Sequence, residues 1–247
     1  MSSLRHGVLI VNADDWGRDT RNTDRTLDCV VRGTVTAVSA MVFMEDSERA
    51  AEIACERGIS AGLHLNFTTA FSGSQASHQL RAHLERVSRY LGKRRMAQAI
   101  FHPGLSNSFD YLVAVQREEF CRLYGSEPKR LDGHHHMHLS ANVLFGGLLP
   151  AGTTIRRNFS FLPGEKSLAN RLYRRALDSF LARRHELTDY FFSLPPLAPP
   201  SRLQRIFSLA KEFRVEVETH PVSADEYSFL TGEEIFKLIA NVSTAAK

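Results

Sequence analysis

Four of the five residues from 134 to 138 are histidines, in the stretch RLDGHHHMHL that runs from Arg130 to Leu139. Imidazole is a common ligand for zinc and other borderline transition metals. On an extended chain, alternate side chains share a face. His134, His136 and His138 would then project one way, and His135 and Met137 the other. A hydrolytic metal needs three protein ligands and an open position for water. One carboxylate and two histidines would supply such a set. A polar loop that happens to be rich in histidine is the plainer alternative.

Other ionisable groups fall at the ends of short apolar runs. Asp14 and Asp15 follow VLIVNA (8–13). Neighbouring residues on a strand point to opposite faces. Where the strand ends and the chain turns, both carboxylates can reach one site. One could then bind a metal while the other handles a proton. Asp15 could equally cap the following helix. His64 lies in GLHLN with Gly62 and Asn66 on its face, where a packed core histidine is the ordinary reading. Arg156 and Arg157 are adjacent, so one turns inward, able to orient a carboxylate or hold a substrate. His220 follows Glu218 by two residues and precedes Pro221, which favours an extended backbone and a defined side-chain direction. A histidine there could protonate a leaving group.

The elements that would position these groups alternate. Strands are expected over 8–13, 35–42, 59–67, the KRLDGHH stretch, 153–158, 187–194 and 215–220. Helices are expected over about 21–31, 47–57, 79–100, 109–124, 142–149, 168–184, 203–213 and 235–242. HPGLSNS (102–108) breaks the pattern between two of the helices, and PPLAPP (195–200) reads as a rigid linker within the domain. Strands alternating with helices predict a parallel sheet, open or closed as a barrel. About seven strands in one continuous alternation predict a single domain over 1–247. Functional groups of such folds gather at the carboxyl ends of the strands.

The 247 residues are 43% hydrophobic and 23% charged, which is ordinary globular composition. No apolar run approaches the ~20 residues of a membrane span. Val8–Val11 is too short for the core of a signal peptide, and the three separated cysteines fit a reducing compartment, so a cytoplasmic location is expected. The net charge of +4 is mildly basic. No nucleic-acid-binding module accompanies it. The arginines of RLYRRALDSFLARRH (171–185) read as a solvated face, or as a contact for an anionic substrate or a membrane surface.

In that order, VNADDWG, GLHLN, LDGHHHMH and THP resemble the YdjC-like carbohydrate deacetylases, the family that includes chitooligosaccharide deacetylase. The likeness covers Val8 to about Tyr227. It implies a deformed (β/α) barrel related to the NodB-type polysaccharide deacetylases. It also implies one divalent metal, zinc or magnesium, held by an Asp and two His. Carried onto this chain, the resemblance makes Asp15 and His64 metal ligands and Asp14 the general base, and takes a third ligand from the histidine cluster, where His134, nearest the strand end, is favoured over the others. His220 becomes the general acid or an oxyanion partner. His136 and His138 would line the site, and Arg156, Asn66 and Trp16 join them as substrate contacts. Trp16 stands where the family usually has Phe, and Val222 where it often has Gly.

The activity so implied is hydrolysis of the acetyl amide of an N-acetylated sugar or glycoconjugate. Its partners would be that substrate, a peripheral membrane contact and a second copy in a homodimer. One rival is another single-metal hydrolase, an amidase or phosphoesterase. Amidohydrolases usually carry their HxH on the first strand, whereas here it arrives mid-chain. The other rival is a carbohydrate-binding protein on the same scaffold, which would need neither Asp14 nor His220.

Overall fold

The computed structural model describes residues 7–93, 96–161 and 166–243. Strands and helices alternate through β1 (Val8–Trp16), α1 (Thr20–Val31), β2 (Ala37–Ala40), α2 (Ser47–Arg57), β3 (Ala61–Leu65), α3 (His78–Lys93) and α4 (Ser106–Tyr124). They continue with β4 (Arg130–Gly133), α5 (Ala141–Phe145), β5 (Thr154–Ile155), α6 (Leu168–Leu181), β6 (Tyr190–Ser193), α7 (Pro200–Leu209), β7 (Arg214–Thr219), α8 (Ala224–Thr231) and α9 (Glu233–Ser243). The strand order is β5-β4-β3-β2-β1-β7-β6, and the α/β class expected from the alternation holds.

By contact density the chain divides into two compact units. The first takes Met1–Ala13, Asp24–Ala37 and Thr154–Lys247. In it β1, β7 and β6 pair in parallel, with Val11 beside Val217 and Phe192 beside Val217. Val11, Val215, Val217 and Phe191 are fully buried; β1 opens as a continuous apolar run, as a strand covered on both faces does, whereas β7 alternates its valines with buried Glu216 and Glu218. Cys29 is buried here too. Burial first, then the neighbouring Asp28 carboxylate, pushes its thiol up to about 12. A thiol reagent at about pH 8 is therefore expected to label exposed Cys55 quickly and Cys29 only after denaturation. Equal labelling rates in the folded protein would contradict this.

The second unit takes Asp14–Thr23 and Val38–Thr153. Its strands β2, β3 and β4 are parallel, with Leu63 beside Leu131 and His64 beside Asp132. The apolar stripe Leu80, Leu84, Val87 and Leu91 fixes the buried face of α3. Each such side chain contributes about 1.5–3 kcal/mol by leaving water. The alanines Ala50, Ala51 and Ala54 form the buried face of α2, and Gly58 closes that helix in the left-handed conformation.

Several boundaries differ from the sequence expectation. Helix α3 is described over His78–Lys93 and does not extend to residue 100, since Ala97–Ala99 form a 3-10 turn. Helix α4 starts at Ser106, so only the first part of HPGLSNS breaks the pattern, as a 3-10 turn over Pro103–Leu105. Helix α8 was not anticipated. Ser223 precedes it and Asp225 and Glu226 fill its first turn, which is an N-terminal signal. Among the described residues no helix is long and apolar enough to cross a membrane.

Candidate metal centre

Strand β1 runs past the expected boundary and carries Asp14, Asp15 and Trp16. At Asp15 the backbone turns left-handed, with φ of 64°. Asp tolerates this region better than most side chains, because its short polar group can bond locally. Asp15 does not cap α1. That duty falls to Asp19, whose Oδ1 accepts the Asn22 N–H at 2.8 Å. Asp15 Oδ2 accepts from the Arg18 guanidinium at 2.8 Å, which leaves Oδ1 directed elsewhere.

His64 and Asp132 are register partners on adjacent parallel strands, so their side chains meet on one face of the sheet. His64 Nδ1 lies 2.6 Å from Asp132 Oδ1, and the Ser39 hydroxyl donates to Asp132 Oδ2 at 2.6 Å. With Nδ1 held this way, Nε2 points to the two aspartates of β1. It lies 3.5 Å from Asp15 Oδ1 and 3.9 Å from Asp14 Oδ2.

The histidine run is not extended. It forms a 3-10 turn over His134–Leu139 in which His135 and His136 are left-handed, with φ of 54° and 58°. The expected alternation of His134, His136 and His138 against His135 therefore fails, since alternation needs an extended backbone. Instead His134 and His138 are buried, His136 is half-buried and His135 is exposed. His134 Nδ1 sits 2.9 Å from Asp15 Oδ1. Gly133 makes the tight entry possible. A Cβ there would lie 3.0 Å from the His138 nitrogen and 3.1 Å from the Leu65 oxygen.

The three groups Asp15, His64 and His134 thus bring one ligand atom each within 4.8 Å of one another. Their chemistry fits a divalent ion. Atoms each about 2.1 Å from one ion stand roughly 3–3.5 Å apart, near the separations seen around Asp15 Oδ1. Asp15 Oδ1 and His64 Nε2 are buried and lack a well-aligned hydrogen-bond partner, and His134 turns its Nδ1 to the same Asp15 oxygen. The second grouping, Asp14, His64 and Asp132, contains the direct 2.6 Å contact and is better described as Asp132 holding the imidazole. That is the usual support for a ligating histidine.

Electrostatics agree. Asp14, Asp15 and Asp132 are each no more than 3% exposed. Buried carboxylates call for positive charge. Burial opposes ionisation of Asp15, but His134 and His64 outweigh it and hold the carboxyl far below the usual range. Burial also opposes protonation of His64, but the Asp14 and Asp132 carboxylates raise its pKa to about 10. The proton on His64 supplies charge that a divalent ion would supply more fully at the same place.

The YdjC-like protein family model matches residues 8–241. The chain belongs to that family. It is 32% identical over 166 residues to a mouse carbohydrate deacetylase, an alignment covering 66% of this chain and 52% of the relative. It is 32% identical over 139 residues to a chitooligosaccharide deacetylase of Salmonella typhimurium, covering 55% of this chain and 52% of that one. The alignments thus span about half the length of these curated relatives. A solved structure from Enterococcus faecalis V583, named for cellobiose-phosphate cleavage, superposes with a TM-score of 0.61. It covers 98% of this chain and 91% of its own, at 16% identity, and so shares the fold.

Outside the Asp15, His64 and His134 cluster, this YdjC-like chain places the expected substrate contacts variously. Trp16 is fully buried and its Nε1 donates to the Ala50 carbonyl at 3.1 Å. Buried Asn66 accepts from the Thr68 and Thr69 N–H groups, which shapes the turn after β3. Arg156 is buried and its Nε donates to Glu216 at 2.8 Å, with the guanidinium over Phe191. These three are bound to the protein's own groups, while half-buried His136 reaches solvent. His220 stands just past β7, with 35% of its side chain exposed and Nε2 3.7 Å from Glu218. Its backbone N–H donates to Glu226 at 2.9 Å. Asp132 and Ser39 were not assigned roles from the sequence. The signal for Asp132 was its place in LDGHH, at the end of the strand beside GLHLN.

Proposed function

We propose that this chain hydrolyses the acetyl amide of an N-acetylated sugar or glycoconjugate, with a divalent ion, zinc or magnesium, as cofactor. The observation that carries the reading is the convergence of Asp15, His64 and His134 beside Asp14 within a buried acidic cluster. The names of the deacetylase relatives support the substrate class.

Asp15, His64 and His134 would hold the ion, which when bound polarises the amide carbonyl and eases loss of a proton from water. Asp14 takes that proton as general base. The water oxygen bonds to the acetyl carbon, and the carbon–nitrogen bond then breaks. His220 gives a proton to the departing nitrogen as general acid. The products are acetate and a free amine on the sugar. Asp132 keeps the His64 imidazole turned to the site, and Ser39 fixes Asp132 in turn.

The test is acetate release from a panel of N-acetylated mono- and oligosaccharides and glycolipids, before and after a chelator. Release is expected for at least one substrate, lost in chelator and restored by zinc or magnesium. Full activity in chelator, or release from none of the panel, would overturn the proposal.

A further inference from the structure

Helix α6 is anchored unusually lightly for an element of 14 residues. Its buried residues are Asp178 and Leu181. Asp178 is held by Arg157, with Nη2 at 2.7 Å, and accepts the Asn158 N–H at 3.0 Å. A neighbouring exposed face carries Leu168, Leu172 and Ala176, spaced every fourth residue and so stacked on one side. Leu168 is 69% exposed and Leu172 55%, and Tyr173 beside them is 53% exposed. Arg171 and Arg175 flank this stripe, and Arg183 and Arg184 follow it, all four exposed. Asp178 is the one acidic residue in 168–184, and it faces inward.

We infer that α6 is a docking surface for an anionic membrane, lying in the plane of the headgroups with its leucines in the acyl boundary. An aliphatic stripe rimmed by arginines is the composition of an interfacial helix. A nucleic acid would match the arginines and leave the leucines in water. A second copy apposed through this face would set arginine against arginine with no carboxylate to neutralise them. Leu168, Leu172, Arg171 and Arg175 also line a cavity of about 260 Å³ beside the helix, together with Arg174 and with Asp178, whose carboxylate Arg157 holds. The inference does not depend on the deacetylase reading.

The test is co-sedimentation of the full chain with vesicles of phosphatidylcholine alone, or with about one-third phosphatidylglycerol, across a salt series. Binding is expected to the anionic vesicles and to weaken with salt. Removing two arginines, R171Q with R175Q, should lower partitioning roughly 30-fold. L168S with L172S should abolish it. Both pairs sit on the exposed face, so thermal unfolding and activity on a soluble substrate should stay at wild-type levels. No binding to anionic vesicles, equal binding to neutral ones, or wild-type partitioning of both variants would each overturn the inference. So would a dimer in solution that L168S with L172S dissociates, or tighter retention by single-stranded DNA than by the anionic vesicles.

Discussion

Asp15→Asn is expected to leave the protein folded but unable to retain a divalent ion, with acetate release reduced by about 10³-fold or more. Asn is the informative replacement because it also tolerates the left-handed backbone at φ of 64°. Ala would strain the turn and confuse misfolding with lost chemistry. Asn keeps the shape of the side chain and removes the charge that His64 and His134 face at 3.5 and 2.9 Å. The measurements are metal content after dialysis, by mass spectrometry, and turnover of the best substrate of the panel. A variant that keeps a stoichiometric ion and wild-type turnover would remove Asp15 from the site. His64→Ala should lose the ion in the same way.

The second large effect is expected at Asp132, whose Oδ1 lies 2.6 Å from His64 Nδ1. Asp132→Asn should weaken ion affinity by about 10–100-fold, because His64 loses the carboxylate that fixes its ring and makes Nε2 a better donor. Such a positioning role predicts a specific pattern. Activity should return when excess zinc or magnesium is added, whereas a generally damaged fold would not be rescued. Ser39→Ala removes the 2.6 Å hydrogen bond to Asp132 and should follow the same pattern more mildly. Competition with a chromogenic chelator gives the affinities. Unchanged affinity in Asp132→Asn would show that the imidazole is oriented by its packing alone.

The residues that converge at the candidate site are legible in the sequence because they stand at strand ends and strand ends read well. VLIVNA and GLHLN are short apolar runs, and the charged residues that close them stand out. The histidine run was legible in composition and not in shape. Alternation holds for an extended chain, and nothing in HHHMH announces two successive left-handed residues. The pairing of His64 with Asp132 was hidden for another reason. It is set by strand register between segments 68 residues apart, which a single sequence does not reveal. Arg156 shows the limit of reading direction alone. It turned inward, as one of the two arginines had to, and its observed partner is Glu216 of β7. Helix α8 carries its own start signal in Ser223, Asp225 and Glu226.

The backbone at His135 and His136 has a consequence for how this loop can change. Glycine is the relaxed residue at such angles, and each imidazole there costs on the order of 1–2 kcal/mol in local conformational energy. Substitutions toward glycine would relieve the loop and remove the rings that flank His134 and the solvent-facing side of the turn. Stability and side-chain chemistry therefore pull in opposite directions at these two positions. A screen for thermal stability alone would favour glycine there, and a screen for turnover would be needed to keep the histidines.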